Sequence, residues 1–429
     1  MTKQPYEEAR TALAEFGIKD AQIMAMTSDF NSARTSPMRA NSDQIVLSTD
    51  PKLSQIPPRF IRVPDVETLK RIGGIPDEKF QSEDWDNALP IPSAATPGVL
   101  AQARPQDKVI CDALFAYVYG DSSKVQDYRD TLNRLRFPMK VAVFASEDAI
   151  IVKSGEVYVI SDPSGHDNPV SVVAPEVIIE EGGTISWETT GTMKTDSLIV
   201  VPREHGTSDD PVNSYQSIGG DAGNGANGNN GDSGKNGKNG SAGKDNKSSC
   251  DVAATNGTNG SRGEDAAMGQ DGTAGPAASP VYVDTGTMNG HFVAASNGGK
   301  GGKGGNAGKG GTGGSGGDGG AATSQCTAGK GGDGGDGGSP AKGGNGGKGG
   351  DGASIFFNYK NGSPTFDNNT TSGSSGDGGH NANGGAGGTG GTGSTTGAKG
   401  TTNTDTATGG TGGAGGKAGS IYVNGSSIG

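Results

Sequence analysis

Residues 298–320 read GGKGGKGGNAGKGGTGGSGGDGG, and side chains other than glycine recur there at every third position. A flexible linker needs no such phase. A helix with three residues per turn does, because it places every third side chain on one edge and leaves the other edges bare. Such a helix has no internal hydrogen bonds, so its backbone groups must bond to neighbouring segments. The stretch therefore predicts a bundle of polyglycine II helices.

The glycine period recurs in three blocks, and each block breaks its phase once near the middle. We therefore expect three hairpins of two helices each, at 218–278, 298–352 and 373–418. The first block has mostly one glycine per triplet and so one bare edge, which places its hairpin at the periphery and 298–352 at the centre. A collagen triple helix is disfavoured because proline is nearly absent from the first block. Disorder remains an alternative, because glycine loses the most entropy on ordering.

The rest of the chain shows other periods. Of the 429 residues, 30% are hydrophobic and 81 are glycine. Residues 1–138 carry apolar side chains at helical spacing, as in YEEARTALAEF, and predict a mainly helical domain. Residues 139–217 contain short alternating runs that fit a β-solenoid and an antiparallel sandwich equally well. Short strands are also expected beside the hairpins, near 281–295, 353–359 and 420–424.

The predicted fold class is thus multi-domain α+β. An N-terminal mainly helical region is followed by a short-stranded β-solenoid or sandwich. The last part, 218–429, is expected to be a polyglycine II helical bundle with interspersed short strands.

Composition and motifs disfavour several classes of function. The formal charge of −12 and the scarcity of aromatic residues argue against nucleic-acid binding, which uses a basic surface with stacking rings. No run of 18 apolar residues occurs, and the start MTKQPYEEAR lacks an apolar core, so we expect neither a membrane span nor an ordinary signal peptide. We recognise no phosphate-binding loop and no nucleophile paired with a base. The chain is therefore predicted to be no enzyme and to need no cofactor.

Few residues are candidates for metal binding or cross-linking. The segment REHGTSDD holds four candidate metal ligands: Glu204, His205, Asp209 and Asp210. A solvated linker explains this segment more simply, so no metal site is predicted. Cys250 and Cys326 both fall in predicted turns at the same end of the bundle. A disulfide between them would join two hairpins and indicate an oxidising environment, whereas two separate thiols fit the sequence equally well.

The glycine triplets, the outgoing and returning runs and the variable turns of 218–429 resemble the glycine-rich tip adhesins on the tail fibres of T-even-type bacteriophages. In that family, polyglycine II helices carry distal loops that touch the host receptor. The resemblance implies receptor-binding loops at 241–256, 321–328 and 394–408. The candidate receptor-binding residues in these loops are Asn246, Lys247, Asp251, Thr323, Ser324, Gln325, Ser394, Lys399, Thr402 and Asn403.

The resemblance also implies partners and a location. The partner would be a cell-surface receptor, either protein or glycan, or a larger extracellular or viral assembly docked through the N-terminal domain. The location would be extracellular or on a virion surface, reached by assembly in the cytoplasm or by a non-standard export route. The predicted function is therefore a non-enzymatic, surface-exposed recognition protein, an adhesin or receptor-binding tip.

Two other functions remain as alternatives. In a secreted bacterial structural or toxin-like protein, the glycine-rich rod would be a spacer and the N-terminal domain would carry the activity. The glycine pattern is also similar to that of the polyglycine II antifreeze proteins of snow fleas, which bind ice through a flat face of small residues. The residues of the last block that suit such a face are Thr389, Thr392, Thr408, Thr411 and Ala414.

Overall fold

Short apolar strands, rather than the glycine-rich runs, set the topology of the chain. The structure is a computed structural model. It describes residues 4–35, 44–81, 92, 96–164, 168–202 and 213–428. Within these residues, two large sheets pack face to face, and the glycine-rich runs project as hairpins from one side of them.

The α-helices of the described residues all lie in the first third of the chain. They are α1 (Pro5–Glu15), α2 (Asp20–Thr35), α3 (Val66–Gly73), α4 (Pro97–Gln102), α5 (Lys108–Tyr119) and α6 (Arg129–Arg136), with 3-10 helices at Asp77–Gln81 and Ser122–Tyr128. Helix α3 begins where the Asp65 carboxylate accepts a hydrogen bond from the backbone N–H of Thr68 at 2.8 Å. Its Val66 and Leu69 are buried in one apolar cluster with Leu114 of α5. Burial of this shared face holds the short helices together.

The strands before the first glycine-rich block are β1 (Gln44–Ser48), β2 (Arg59–Val63), β3 (Met139–Ala145), β4 (Ile150–Val152), β5 (Val157–Ser161), β6 (Val170–Glu180), β7 (Thr184–Trp187), β8 (Gly191–Val201) and β9 (Tyr215–Ile218). Those within and after it are β10 (Lys244–Asp245), β11 (Cys250–Val252), β12 (Val281–Asn289), β13 (His291–Asn297), β14 (Ser354–Gly362), β15 (Thr365–Asn368), β16 (Ser420–Val423) and β17 (Ser426–Ile428).

From β4 to β16, consecutive strands alternate between the two sheets, apart from β10 and β11, which form a small sheet of their own. The six-stranded sheet has the order β1-β5-β7-β9-β13-β15, and all of its pairs are parallel. The nine-stranded sheet has the order β17-β16-β14-β12-β8-β6-β3-β2, with β4 also paired to β6. Its pairs are parallel except at the ends, where β2 pairs with β3 and β16 with β17 in antiparallel fashion. A step from the larger to the smaller sheet, such as β6 to β7 or β12 to β13, and the return to the larger sheet together form one coil. Each coil stacks on the previous one.

Aromatic side chains fill the space between the sheets. Trp187 of β7 and Tyr215 of β9 are fully buried, and the indole N–H of Trp187 donates a hydrogen bond to the Tyr215 hydroxyl at 2.8 Å. Burial raises the pKa of Tyr215 far above its usual range. Phe357 of β14 packs edge-on against Tyr215, with 5.2 Å between the ring centroids. This core therefore joins strands from both sides of the first glycine-rich block.

The predicted fold class is wrong. The described chain has 25% strand and 18% helix, organised in large parallel and mixed sheets, rather than a helical region, a β-region and a separate polyglycine II bundle. The physical reason is long-range strand pairing, because β12 pairs with β8 through Val283 opposite Met193. The strands that follow each glycine-rich block rejoin the same two sheets, so the blocks are insertions between coils. The sheets cross residues 138 and 217, where the sequence suggested domain boundaries.

Three glycine-rich hairpins leave the sheets after β9, β13 and β15. We call their outgoing segments O1 (221–243), O2 (298–320) and O3 (373–393), and their returning segments R1 (255–278), R2 (329–352) and R3 (397–417). O1 donates backbone hydrogen bonds to O2 at every third residue, as from Gly231 N–H to Lys309 O at 2.9 Å. O2 bonds to O3 in the same way, and R1 to R2 and R2 to R3. The second hairpin therefore lies between the other two.

Outgoing and returning segments also bond to each other. The N–H of Gly311 in O2 donates to Glu264 O of R1 at 2.9 Å, and the N–H of Gly338 in R2 donates to Gly311 O at 2.8 Å. A Cβ atom at Gly311 would lie 2.0 Å from Asp232 O, inside van der Waals contact. Two glycines in each triplet of the second hairpin are thus required by neighbours on both sides. We call this array of six segments the glycine lattice.

Candidate functional site

The turns of the three hairpins lie at one end of the glycine lattice. The N–H of Gly243, at the end of O1, donates to Ala321 O in the second turn at 3.2 Å. The N–H of Ser394, in the third turn, donates to Gly329 O at the start of R2 at 2.8 Å. We call the surface formed by 244–253, 321–328 and 393–396 the tip surface. Six of the ten predicted binding residues lie in its first two turns.

A disulfide bond joins the first two turns. Cys250 of β11 and Cys326 are bonded, with an S–S distance of 2.01 Å and their Cα atoms 4.9 Å apart. Cys326 is only 4% exposed, whereas Cys250 lies on the surface. The bond closes a loop across 76 residues of sequence and fixes the two turns relative to each other. The third cysteine, Cys111 of α5, is half-buried and lies in the helical part.

Asp245 supplements the disulfide with hydrogen bonds across the same junction. Its carboxylate accepts from the backbone N–H of Gln325 at 3.2 Å and from the hydroxyl of Thr323. The Thr323 hydroxyl oxygen in turn accepts from the N–H of Cys326 at 3.0 Å. Of the predicted binding residues, Thr323 and Gln325 therefore help to fasten the two turns, and Ser324 between them is exposed. Sequence reasoning missed Asp245, which lies in the turn just after the glycine phase of O1 ends.

The first turn is a small β-hairpin of β10 and β11. The side-chain oxygen of Asn246 accepts from the backbone N–H groups of Ser248 and Ser249 at 3.1 and 3.0 Å, which fixes the turn between the strands. Lys247 and Asp251 are exposed, and neither forms an ion pair within the described chain. Both charges therefore point to solvent from a fixed backbone, the arrangement expected of a contact surface.

The third turn is shorter than the sequence suggests. The backbone N–H of Gly397 already donates to Gly391 O at 2.9 Å, and that of Asn403 donates to Gly385 O at 2.9 Å. The returning segment therefore begins at residue 397, and only Ser394 of the four predicted residues in 394–408 belongs to the tip surface. The other three, Lys399, Thr402 and Asn403, lie along R3. Thr402 accepts a hydrogen bond there from the N–H of Gly387 at 3.1 Å.

The tip surface is polar, and Val252 is its one large apolar side chain beside four alanines. Val252 of β11 is 49% exposed beside the disulfide, and sequence reasoning missed it. The alternation in CDV, with Asp251 and Val252 next to the cysteine, is the signal that marks a strand at this place. No aromatic side chain occurs in the three turns. Contacts made here would depend on hydrogen bonds and charges around a small apolar centre.

A cleft lies at the end of the glycine lattice opposite the turns, which we call its base. This cleft of about 1260 Å³ runs between α5 and the ends of the returning segments, where Lys348, Asp351 and Lys417 line it. Glu188, in the turn from β7 to β8, also lines this cleft, and burial raises the pKa of its carboxyl group. Burial opposes ionisation of Asp351, but hydrogen bonding from the Lys417 N–H and the Lys348 ammonium lowers its pKa overall.

Comparison with protein-family models, with curated proteins and with solved structures found no match to this chain. The geometry of the chain itself must therefore carry any functional argument. Among the described residues, no group of three His, Cys, Asp or Glu side chains is arranged to hold a metal ion. The candidate ligands Glu204, His205, Asp209 and Asp210 lie outside the described residues. No helix in the described ranges is long and apolar enough to cross a membrane.

Proposed function

We propose that this chain is a non-enzymatic recognition protein that binds a cell-surface receptor, protein or glycan, through the tip surface. The observation that carries the proposal is the cross-linked junction of the first two turns, in which the Cys250–Cys326 bond is reinforced by Asp245. Two turns fixed in this way lose little conformational entropy when they bind. The exposed Lys247 and Asp251 supply charges for specificity, and Val252 supplies apolar area.

The location and the second partner belong to the same proposal. A disulfide is stable where the surroundings are oxidising, which supports an extracellular or virion-surface location. Helices of the N-terminal part pack on the sheets, as where α1 contacts β6, β8 and β12 and α2 contacts β3. This part would dock the protein to a larger extracellular or viral assembly and leave the tip surface accessible.

Cell adsorption tests the proposal. Fluorescently labelled full chain is mixed with a panel of intact bacterial strains, and the protein retained on the cells is measured for each strain. We expect at least one strain to retain the wild type, and the variant Lys247→Ala/Asp251→Ala/Gln325→Ala to be retained about tenfold less.

The matched control is Lys235→Ala/Lys238→Ala, which removes two exposed lysines from O1 without touching the tip surface. It should be retained like the wild type. Equal retention of the tip variant and the wild type would rule out this surface as the binding site. The same result would favour the structural or toxin-like alternative, in which the N-terminal part carries the activity.

Two of the threonine hydroxyl groups that ice binding would use already donate hydrogen bonds within the protein. The Thr411 hydroxyl donates to the side-chain oxygen of Asn345 at 3.0 Å, and the Thr392 hydroxyl donates to Asp318 at 2.8 Å. Both therefore bond inward to the second hairpin. The hydroxyl of Thr389 in O3 bonds to that of Ser315 in O2, whereas that of Thr411 in R3 bonds to Asn345 in R2, so these candidate residues divide between the outgoing and the returning segments.

A further inference from the structure

A row of asparagines on O1 is held in one orientation by the glycine lattice. The row comprises Asn224, Asn227, Asn230, Asn236 and Asn239, and we call it the amide row. In each, the side-chain oxygen accepts a backbone N–H of O2, from Lys303, Asn306, Lys309, Ser315 and Asp318, at 2.8 to 2.9 Å. Since only the oxygen of an amide accepts, these bonds also fix the position of each amide NH2 group.

The NH2 groups of the amide row are available to a ligand. All five asparagines are exposed, and no NH2 group of the row has a partner within the described chain. Successive members are mostly three residues apart, about 9 Å along an extended segment. Not every position in the same phase holds an amide. Ser233 lies within the row, and its hydroxyl bonds to that of Thr312 at 2.8 Å, whereas Asp221 precedes the row and its carboxylate accepts the N–H of Lys300 at 3.4 Å. The row therefore presents hydrogen-bond donors at a regular interval, with their acceptors already used.

Lysines on O2 lie beside the base half of the amide row. Lys300, Lys303 and Lys309 are exposed on the same flank of the lattice, which O1, O2 and O3 form and which we call the outgoing flank; R1, R2 and R3 form the returning flank. The ammonium of Lys303 lies 3.6 Å from Asp377 of O3, whereas Lys300 and Lys309 form no ion pair in the part of the chain described. Lysine ammonium groups are donors only, like the NH2 groups beside them. This half of the flank thus carries three ammonium groups and the NH2 groups of the row, beside the carboxylates of Asp221 and Asp377, of which Asp221 accepts the N–H of Lys300.

The flank of the returning segments lacks this uniformity. Along R1 the corresponding positions hold Asn256 and Asn259, but then Arg262, Asp265 and Met268. Met268 is 69% exposed and interrupts the row with an apolar side chain. A long periodic ligand would thus meet matching groups on the outgoing flank and mixed groups on the returning flank.

We propose that the outgoing flank binds an acidic polysaccharide in an extended conformation. Carboxylates accept hydrogen bonds and donate none, so a polyuronate complements a surface of donors. Its regular repeat suits donors spaced at a regular interval, and many weak contacts then add along one chain. The flank lacks the aromatic side chains on which nucleic-acid bases stack, so the regular row favours a polysaccharide over DNA. This site shares no residue with the tip surface and does not depend on the function proposed for it.

Replacing asparagine by aspartate separates binding from structure. On R1, Asp265 and Asp271 form the same kind of hydrogen bond as the asparagines of the amide row form on O1. Their carboxylates accept the N–H groups of Ser339 and Asn345 at 2.6 Å. The variant Asn227→Asp/Asn230→Asp/Asn236→Asp should therefore keep the lattice while replacing outward donors by carboxylates. Asn256→Asp/Asn259→Asp is the matched control on the returning flank.

The experiment measures binding of polygalacturonate to the full chain by calorimetry, with dextran and single-stranded DNA as comparison probes. We expect the wild type to bind polygalacturonate but not dextran, the outgoing-flank variant to bind about tenfold more weakly, and the control to match the wild type within about twofold. Binding should weaken as salt is added.

Several outcomes would overturn the proposal. These are absence of polygalacturonate binding, equal binding by the outgoing-flank variant, and DNA binding as strong as polygalacturonate binding, which would indicate a general attraction for polyanions. If the aspartate variant has a lowered melting temperature, Lys300→Gln/Lys309→Gln replaces it, because these side chains form no bond within the described lattice. Weakened polygalacturonate binding by this variant supports the proposal, and unchanged binding refutes it.

Discussion

Most glycines of the second hairpin face a backbone carbonyl that leaves no room for a side chain. The hypothetical Cβ atom of Gly311 meets Asp232 O at 2.0 Å, and that of Gly338 meets Glu264 O at 1.9 Å. The conformation itself does not demand glycine there, because neither residue has a positive φ. The close approach of neighbouring segments demands it. The outer position of each triplet follows a different rule, since an asparagine or aspartate there accepts the N–H of the next hairpin.

The close approach of neighbouring segments predicts that alanine is tolerated very differently at two glycines of the same lattice. We expect Gly311→Ala to lower the free energy of unfolding by about 2 kcal/mol or more, because two segments must separate to admit the methyl group. Gly412→Ala is the control, since its Cβ would lie 3.7 Å from the nearest atom, Gly376 O. It should change stability by less than about 1 kcal/mol. Denaturant unfolding of both variants provides the measurement, and equal midpoints would contradict the packing argument.

The aspartates at outer positions, which accept N–H groups of the next hairpin, predict a loss of stability in acid. Hydrogen bonds from the backbone N–H and hydroxyl of Thr392 lower the pKa of Asp318, and those of Thr401 lower the pKa of Asp336 in the same way. A carboxylate with a lowered folded-state pKa contributes stability that is present above its unfolded pKa, about 4, and is lost as the pH falls further. The melting temperature should therefore decrease as the pH is lowered below about 4.

Asp318→Asn/Asp336→Asn tests this origin of the acid sensitivity. Asparagine keeps the accepting oxygen, as Asn227 and Asn230 show, but it does not titrate. The variant should show a shallower decline of melting temperature between about pH 4 and pH 2 than the wild type. A decline as steep as that of the wild type would place the acid-sensitive groups elsewhere.

Among the elements, the course of the glycine-rich segments is marked in the sequence, whereas the pairing of the strands is not. The three-residue phase marks where each segment runs, and its interruption at 321–328 marks a turn. The interruption at 401–407 looks the same in sequence, yet R3 continues through it, because the bond from Asn403 N–H to Gly385 O needs no glycine at its donor. The pairing of β12 with β8 depends on residues about 90 positions apart, which local periodicity cannot reveal.

The cross-link between two of these elements should act locally. We expect Cys250→Ser/Cys326→Ser to speed backbone hydrogen exchange in 244–253 and 321–328, because the bond that joins the two turns is removed. Exchange in β12 and β14 should stay slow, since their hydrogen bonds belong to the nine-stranded sheet. Hydrogen-exchange mass spectrometry distinguishes the two regions. Unchanged exchange in both turns would mean that Asp245 and the lattice hold them without the disulfide.

For the whole molecule, the stacked coils carry the fold and the hairpins are additions to it. The chain returns from β7 in the smaller sheet to β8 in the larger one through only three residues, 188–190. The return from β9 to β12 makes the same step through the whole first hairpin. A single topological step is thus made with or without a glycine-rich insertion, and the apolar core between the sheets includes side chains from coils of both kinds.

Replacement of all three hairpins by short turns with the sequence of 188–190 should therefore leave a folded two-sheet body. We expect this variant to keep a cooperative thermal transition and the near-ultraviolet circular dichroism of its buried Trp187. Removal of 298–352 alone should be more harmful, because the outer hairpins would lose the middle segments to which both bond and would expose backbone groups. If the variant without hairpins is unfolded, the glycine lattice, and not the stack of coils, supplies the stability of the molecule. If the variant lacking only 298–352 is as stable as the wild type, the outer hairpins do not need the middle segments.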